Sequence, residues 1–395
     1  MKDNNIVRLT LMNRTHPVCD LEYDNRFHCI RRILHFYDDG FYAPLGLTGN
    51  DREHIDDLYS DWWGKRSIPR ERADVEDLLK QYGFNSAREL AMQSHGLSLS
   101  DQYWMRGLGE DISWEAVNYF RNPFSDALGR ALMHHAHHAR LELGPDVLRD
   151  PSGTSEGVLP KRWTIIDRVR TLIKGSRHLG QEPYNEVIAT FLHEQLLAPG
   201  EYVYYRLHEE EGKIYSACAT MLTDEEEYVP AIYVRNIRER SDECTELEHY
   251  LSCCEDLGVT DARRGIDKMI ICDYLLANSD RHYRNFGVIR NVETHKCRIA
   301  PLFDSGLSLW CNEASLGNRP VPWKSKPFNQ QPEAQLQLAR DRSMVSAAKL
   351  DAVQRFLAET MSAGPFQDDP LRVVFIEEGF RRNAETVLTA GSRCG

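Results

Sequence analysis

Long apolar runs are missing from this sequence. A helix that crosses a bilayer needs about 20 consecutive apolar residues, and no segment of the 395-residue chain approaches that length. The first residues, MKDNNIVRLT, also lack the apolar core of a secretion signal. We therefore expect a cytoplasmic protein that has no membrane partner.

A surplus of basic residues is missing as well. Lysine and arginine number 48 against 60 aspartates and glutamates, which gives a formal net charge of -12 at pH 7. A general affinity for nucleic acid or for an anionic membrane surface needs the opposite sign of charge. No helix-turn-helix segment is evident, so a DNA-binding partner would be a separate chain and direct nucleic-acid binding is not expected.

Common motifs for zinc and for nucleotide phosphates are missing too. The ten cysteines form no CxxC pair, which argues against a zinc site of that type and, without a secretion signal, predicts reduced thiols. No stretch matches the Walker A pattern GxxxxGK followed by Ser or Thr. The histidine run HHAHH at 134–138 has no carboxylate or cysteine at ligand spacing, so we interpret it as solvated rather than metal-binding.

What is present is the composition of an ordinary globular protein, with 42% hydrophobic and 27% charged residues. Alternation in VRLTLMN predicts strands from residue 1 to about 35, and DVEDLLKQYGF and SARELAMQSHGL predict helices within 50–105. RWTIIDRVRTLIKG predicts two strands around Asp167–Arg168, and EYVYYRLHEEEGKIYSACATML predicts a hairpin that turns at Glu211–Gly212. EPYNEVIATFLHEQLL predicts an amphipathic helix. Its predicted apolar face consists of Tyr184, Val187, Ile188, Phe191 and Gln195.

Beyond about residue 243 the pattern is mostly helical, interrupted by one hairpin made of FGVIR and KCRIAPLF. The order of elements predicts an α+β fold with two lobes, a small β-rich lobe followed by a larger helical lobe, and an additional N-terminal α+β region. We expect the N-terminal region to span 1–145, the β-rich lobe 146–232 and the helical lobe 233–395.

The polar stretch ANSDRHYRNFG, at 277–287, carries the strongest chemical pattern. Asp280 and Asn285 are separated by five positions, the spacing of the catalytic loop of protein kinases. In that loop the aspartate orients and deprotonates the attacking hydroxyl, and the asparagine binds Mg²⁺. Arg281 and Arg284 either contact phosphate or substrate or pair with acidic residues such as Asp273.

A second carboxylate follows one hairpin later, in PLFDSG. Asp304 ends an apolar strand, and pairing of FGVIR with KCRIAPLF would bring it close to Asn285. A kinase places its other metal-binding aspartate after a similar short β excursion. The alternative is a turn cap, since Asp-Ser-Gly is a good turn sequence.

Two further segments fit phosphate binding. Lys174 ends the apolar strand LIK, and Glu186 lies twelve residues later in the amphipathic helix, where a Lys–Glu ion pair would match that of kinases. Glu182 is the alternative partner. The segment SGTSEG at 152–157 would bring backbone N–H groups to phosphates, unless it is a flexible linker. The acidic run 224–228 predicts the surface of a hinge between lobes.

The order of these pieces resembles the HipA-like serine/threonine kinases, whose motifs are similar to NSDRHYRNFG, APLFDSG and PKRWTIIDRVRTLIKGS here. The phosphatidylinositol 3/4-kinase group also carries a DRHxxN loop. The resemblance implies Asp280 as the catalytic carboxylate and Asn285 and Asp304 as Mg²⁺ ligands. The residues it implies for ATP binding are Lys174, Glu186, His282, Ser152, Gly153, Thr154, Ser155 and Gly157.

The predicted function is therefore an ATP- and Mg²⁺-dependent kinase that acts on Ser or Thr of a protein. The family also implies a toxin role in a toxin–antitoxin system, with a separate antitoxin protein as partner, and autophosphorylation at Ser152, Thr154 or Ser155. Three alternatives stay open from the residues: a phosphoinositide-type lipid kinase, a catalytically silent ATP-binding regulatory module, and an enzyme that transfers AMP instead of phosphate.

Overall fold

A computed structural model describes residues 5–47, 54–70, 72, 75–134, 149–155, 157, 159–177, 179–313 and 322–391. The predicted boundary between the N-terminal region and the β-rich lobe, at 145/146, lies outside these residues. So do His135, His137 and His138 of the histidine run.

The N-terminal region is built on one antiparallel sheet. Its strands are β1 (Ile6–Asn13), β2 (His16–Asp24), β3 (Cys29–Phe36) and β4 (Tyr103–Gly107), in the spatial order β3-β2-β1-β4. Helices α1 (Ile55–Gly64), α2 (Val75–Gln81) and α3 (Ala87–Gln93) lie between β3 and β4 in the chain, and α4 (Trp114–Val117) and α5 (Ala127–His134) follow. The strands and helices predicted for this region are confirmed.

A second antiparallel sheet forms the β-rich lobe. It contains β5 (Lys161–Ile166), β6 (Val169–Lys174), β7 (Tyr205–Glu210) and β8 (Lys213–Ala219), in the order β5-β6-β8-β7. Both predicted hairpin turns are confirmed: the φ angles are 49° and 68° at Asp167–Arg168, and 51° and 71° at Glu211–Gly212. Two successive positive φ angles are typical of the tight turns that match strand twist.

Helix α6 (Glu182–Leu196) lies between the two sheet hairpins in the chain, where the sequence predicts it. The predicted face is confirmed in part: Ile188 is buried, and the partly buried Tyr184 and Phe191 pack against the main core. Val187 and Gln195 are also only partly buried. The fully buried side chains include the polar Asn185 and Glu186. Helix α6 is enclosed on most sides. Its buried polar side chains are tolerated because they form hydrogen bonds with other buried groups. Hydrophobicity alone therefore does not identify the buried face.

A third, short sheet joins one strand from the end of the predicted β-rich lobe to two strands of the predicted helical lobe. Strands β9 (Glu226–Pro230), β10 (Gly287–Asn291) and β11 (Cys297–Ile299) are antiparallel in the order β11-β10-β9, which confirms the second predicted hairpin. The helices are α7 (Ala231–Val234), α8 (Glu246–Asp256), α9 (Ala262–Leu275), α10 (Pro332–Leu336), α11 (Ala347–Ala363) and α12 (Pro370–Gly391). The largest apolar core joins α6 to α8, α9, α11 and α12. The predicted α+β class is confirmed.

The N-terminal region is bonded directly to β9. The Tyr228 amide donates to the Ser100 carbonyl at 2.9 Å, and the Gln102 side chain donates to the Glu226 carbonyl at 2.6 Å. Within the acidic run, Glu227 is not at the surface as predicted: it is 2% exposed and accepts a hydrogen bond from Arg290 at 2.5 Å. A buried carboxylate needs such a partner, and no sequence pattern marked Arg290 as that partner.

Across the described ranges, none of the helices combines the length and the apolar composition required to cross a membrane.

Candidate active site

The loop after α9 is folded tightly on itself. The Asp280 amide donates to Asn278 Oδ1 at 3.0 Å, and the Asp280 carbonyl accepts from the His282 amide at 2.8 Å and from Asn285 Nδ2 at 3.1 Å. These bonds hold the Asp280 and Asn285 side chains on the same loop face. Because Asn285 uses its nitrogen within the loop, its side-chain oxygen stays available as a metal ligand.

Arg281 is the buried anchor of this loop. Its guanidinium is 0% exposed and binds both Asp273 carboxylate oxygens, at 2.9 and 3.0 Å. It also donates to the carbonyl of Asn285 at 2.7 Å and of Phe303 at 2.5 Å. Of the two roles considered for Arg281, the structure shows pairing with Asp273, and the two carbonyl bonds tie the loop to the segment that leads into Asp304.

Lys174 lies between two carboxylates. Its ammonium donates to Glu186 Oε1 and to Asp304 Oδ1, and the second Glu186 oxygen accepts from the Ser305 amide at 3.0 Å. Lys174 is 3% exposed and Glu186 2%. Strand β6, helix α6 and the segment that carries Asp304 therefore meet at one buried ammonium. The prediction that Asp304 ends a strand is wrong, because β11 ends at Ile299 and Asp304 lies five residues beyond it.

The opposite charges of this cluster stabilise each other in their ionised forms. Burial disfavours the ionised form of Asp304, but the positive charges of Lys174, Lys161 and Arg281 outweigh it and hold the pKa of Asp304 well below its ordinary value. Burial likewise opposes the charge of Lys174, whereas Asp304 and Glu186 raise the pKa of Lys174 above its ordinary value. Both groups are therefore ionised near neutral pH.

Glu182, the alternative partner for Lys174, has a different role. Its carboxylate accepts from the Ser176 hydroxyl and, at 2.9 Å, from the Arg177 amide. Both donors precede α6 in the chain, so Glu182 anchors the start of this helix. Glu186 is the residue of the helix that contacts Lys174.

One cleft of about 490 Å³ brings the predicted polar residues together. Asp280, His282, Asn285 and Asp304 line it from the helical lobe. The lining residues contributed by the β-rich side are Thr154, Ser155, Gly157, Lys161, Trp163 and Leu172. Those contributed by the N-terminal region include Trp62, Arg66, Asp101 and Tyr103. The volume is within the usual range for a small-ligand site.

The predicted glycine loop is packed more firmly than a flexible linker. Residues Pro151–Thr154 form a 3-10 turn, and Ser152 and Thr154 are buried. Ser152 Oγ accepts from the Trp163 amide at 3.2 Å, and Thr154 Oγ1 donates to the Leu97 carbonyl at 2.7 Å. Ser152 and Gly153 do not line the cleft, so only the second half of the segment reaches it.

Arg72 of the N-terminal region holds that second half. Its guanidinium donates to the Ser155 carbonyl at 3.0 Å and to the Gly157 carbonyl at 2.8 Å. Gly157 has φ +90°, and a Cβ atom there would lie 2.6 Å from Lys161 Nζ, so a side chain at this position would be strained and crowded. Sequence reasoning missed Arg72, because it is 83 residues away from Ser155.

Lys161 was also missed, although a signal for it existed. A two-residue turn at Asp167–Arg168 pairs Lys161 with Lys174 across the hairpin, and the structure shows this register. The open end of this hairpin therefore presents a second ammonium group beside that of Lys174. Lys161 lines the cleft and helps to lower the pKa of Asp304.

The donor set suits Mg²⁺ bound together with phosphates. Among the described residues, no group of three or more His, Cys, Asp and Glu side chains could hold a metal alone. Mg²⁺ commonly uses one or two carboxylates and completes its shell with water and substrate phosphates. Asp304 and the available oxygen of Asn285 in one cleft fit that mode of binding.

Comparison with solved structures identifies the fold. The chain is similar to HipA of Shewanella oneidensis MR-1, taken from its complex with HipB and operator DNA, with a TM-score of 0.52 over 96% of this chain and 97% of that chain. The chain has a HipA-like kinase fold. The sequence identity is 11%, so the likeness concerns the fold alone.

The resemblance to HipA-like kinases is thus confirmed at the level of fold, including the N-terminal region, since nearly the whole chain is covered. A second similar structure is the proinflammatory kinase CtkA of Helicobacter pylori, with 17% identity and a TM-score of 0.44 over 59% of this chain and 93% of that chain. No protein-family model and no curated protein sequence matches the chain.

Proposed function

We propose that this protein is a phosphotransferase that uses ATP and Mg²⁺ to phosphorylate Ser or Thr of a protein. The observation that carries the proposal is the contact of Lys174 with both Glu186 and Asp304, at the cleft that also contains Asp280 and Asn285. A HipA-like kinase fold in which these five residues meet has the parts that phosphoryl transfer needs.

The Lys174 cluster supports binding of the nucleotide. A lysine that pairs with a helix glutamate is held ready to contact the α- and β-phosphates, and Glu186 is itself fixed by the Ser305 amide. Asp304 and Asn285 would hold Mg²⁺, which neutralises phosphate charge when bound. Lys161, Ser155 and Gly157 line the same cleft, and Lys161 adds positive charge there.

Asp280 supports the chemical step. Its carboxylate lines the cleft, and the loop bonds around it fix its direction before any substrate binds. There it would orient the acceptor hydroxyl and take its proton while the hydroxyl oxygen attacks the γ-phosphorus. A module that only bound ATP would have no need of a carboxylate held in this way.

The test is incubation of the purified chain with ATP and Mg²⁺, followed by intact-mass measurement and peptide mapping. We expect one or more phosphate increments on the chain or on an added protein acceptor. An increment of AMP would contradict phosphate transfer. Phosphorylation of phosphoinositide vesicles but of no protein would identify a lipid kinase. The absence of both products would identify a silent ATP-binding module.

Peptide mapping also tests autophosphorylation at Ser152, Thr154 or Ser155. All three side chains are buried, and each hydroxyl takes part in a hydrogen bond within the N-terminal half of the chain. Phosphorylation there requires this segment to leave its packed position, which would also withdraw Ser155 from the cleft. We therefore propose that such modification would switch the enzyme off.

We further propose a toxin role with a separate antitoxin chain as partner. The Shewanella HipA structure is a complex with HipB and operator DNA, and its likeness covers 96% of this chain. Induced expression of the wild-type chain should slow bacterial growth, whereas the D280N variant at equal abundance should not. Equal growth of the two strains would contradict the toxin role but not the kinase activity.

A further inference from the structure

A lysine from a distant segment contacts the carboxylate proposed as the base. Lys326 Nζ donates to Asp280 Oδ1 at 3.0 Å, across a sequence separation of 46 residues. Both side chains are partly exposed, Lys326 at 45% and Asp280 at 29%, so the pair lies near the protein surface rather than in the core. No sequence motif marks Lys326, because its contact with Asp280 joins residues that are distant in the chain.

The backbone that carries Lys326 is held by a buried glutamine. Gln335, 3% exposed, donates from Nε2 to the Lys326 carbonyl at 2.5 Å. Its Oε1 accepts from the amides of Phe328 and Asn329 at 3.0 and 3.1 Å. One side chain therefore satisfies three backbone groups of a single turn, which fixes the position of the Lys326 Cα before a ligand binds.

A second set of contacts holds the same turn against the catalytic loop. The Ser325 hydroxyl donates to the Asn329 carbonyl at 2.7 Å. The Phe328 ring packs edge-on against the rings of Tyr283 and Phe286, each with centroids 6.1 Å apart. Tyr283 lies in the loop between Asp280 and Asn285, and Phe286 directly follows Asn285. The turn is therefore packed directly against the loop, and Lys326 needs to order only its own side chain.

The two arginines of the catalytic loop contact groups other than Asp280. Arg281 is fully buried on Asp273 and two carbonyl groups, and the Arg284 guanidinium lies over the Tyr233 ring, 5.6 Å from its centroid. Lys174 is buried between Glu186 and Asp304. Within the described part of the chain, Lys326 is the lysine or arginine that forms an ion pair with Asp280.

Phosphoryl transfer needs positive charge at this place. Negative charge spreads over the three equatorial oxygens of the transferred group, and a fixed cation beside them stabilises the transition state more than the ground state. A base at Asp280 must lie next to the acceptor hydroxyl, and the acceptor hydroxyl must lie next to the γ-phosphorus. A cation in contact with Asp280 is therefore within reach of the transferred group.

We propose that Lys326 is a catalytic residue of the phosphotransfer reaction, its ammonium binding an equatorial oxygen of the transferred phosphoryl group while it stays beside Asp280. The bond from the acceptor oxygen to phosphorus forms, and the bond from phosphorus to the β–γ bridging oxygen breaks. ADP leaves with that electron pair, the hydroxyl proton goes to Asp280, and Lys326 neither gains nor loses a proton. This role rests on the function proposed above.

Three variants of the full-length chain test it. K326M removes the charge and keeps the length, K326R restores a cation, and K324M removes an exposed charge two residues away. The reaction is followed with γ-labelled ATP and Mg²⁺, with casein and the chain itself as acceptors. We expect kcat to fall by about 10²–10³-fold in K326M, the usual loss when one transition-state donor is removed. ATP affinity should change by less than about threefold, since the ground state uses Lys174 and the metal.

The control and rescue variants separate this role from a structural one. The kcat of K326R should be at least about tenfold higher than that of K326M, and the kcat of K324M should equal that of the wild type. A K326M enzyme as fast as the wild type would overturn the proposal, and a faster one would show that Lys326 blocks Asp280. An inactive wild-type chain would overturn the proposed function and this role with it. An active wild type with an unaffected K326M variant would overturn only the role of Lys326.

Discussion

Replacing Asp280 with asparagine will lower kcat for phosphotransfer by about 10²–10⁴-fold, the range in which a positioned general base contributes to a rate. The amide has nearly the same shape as the carboxylate but cannot accept the hydroxyl proton. ATP affinity should stay close to that of the wild type, because the nucleotide contacts proposed here use Lys174, Asn285 and Asp304. Rates at saturating ATP, together with binding of a fluorescent ATP analogue, measure the two effects separately.

The matched control is D256N. Asp256 is an exposed carboxylate at the end of α8, 50% exposed and paired with Arg238 at 3.1 Å, and it does not line the cleft. Surface pairs of this kind contribute little to stability, so D256N should fold and react like the wild type. A D280N enzyme with the wild-type kcat would remove Asp280 from the mechanism.

Replacing Lys174 with methionine should harm both function and stability. The variant loses the proposed phosphate contact, and it leaves the buried Glu186 and the partly buried Asp304 without their shared cation. Removal of one partner from a buried ion pair typically costs about 3–5 kcal/mol, since an uncompensated charge remains inside. We expect a loss of that size in the free energy of unfolding at pH 7, measured by urea denaturation, together with a large rise in the ATP dissociation constant.

The pH dependence of this loss provides a sharper test. In the wild type, Lys174 holds the pKa of Asp304 below its ordinary value, so this contribution to stability is present above about pH 4 and is lost on acidification. In K174M, burial without the cation raises the carboxylate pKa values. The unpaired carboxylates then destabilise the K174M fold most at neutral pH, where they are ionised. Their protonation removes this destabilisation as the pH falls towards about 4.

The gap in unfolding free energy between the wild type and K174M should therefore narrow from pH 7 to pH 5. K213M is the control, because Lys213 is an exposed residue of the same sheet, at the hairpin turn that begins β8. The K213M variant should show no such pH-dependent gap. A K174M variant as stable as the wild type at pH 7 would show that the Lys174 cluster does not stabilise the fold.

The features predicted correctly from the sequence are those set by local pattern. The two turns with positive φ angles follow from residues that are adjacent in the chain. The register that places Lys161 opposite Lys174 follows from one of these turns, although Lys161 itself was not predicted. The spacing of Asp280 and Asn285 in the loop is also local, as is the hairpin that precedes Asp304. Their meeting in one cleft was predictable because a short hairpin, β10–β11, joins them.

The features that were missed depend on contacts between distant parts of the chain. The burial of Glu227 depends on Arg290, 63 residues later, and on packing of the N-terminal sheet. Arg72 and Lys326 contact residues that line the cleft, Ser155 and Asp280, from segments that are distant in the sequence. The buried face of α6 differs from the apolar one because Asn185 and Glu186 are satisfied by partners far away in sequence. Periodicity reports hydrophobicity and contains no information on such partners.

The most direct test of the central claim is transfer of label from γ-labelled ATP, in the presence of Mg²⁺, by the wild-type chain and by D280N assayed side by side. The same reactions run with EDTA measure the dependence on the metal. The arrangement of Asp280, Asn285, Asp304 and Lys174 predicts labelled protein from the wild type with Mg²⁺, and almost none from D280N or with EDTA. Equal labelling by the wild type and D280N, or no labelling of any acceptor by the wild type, would contradict it.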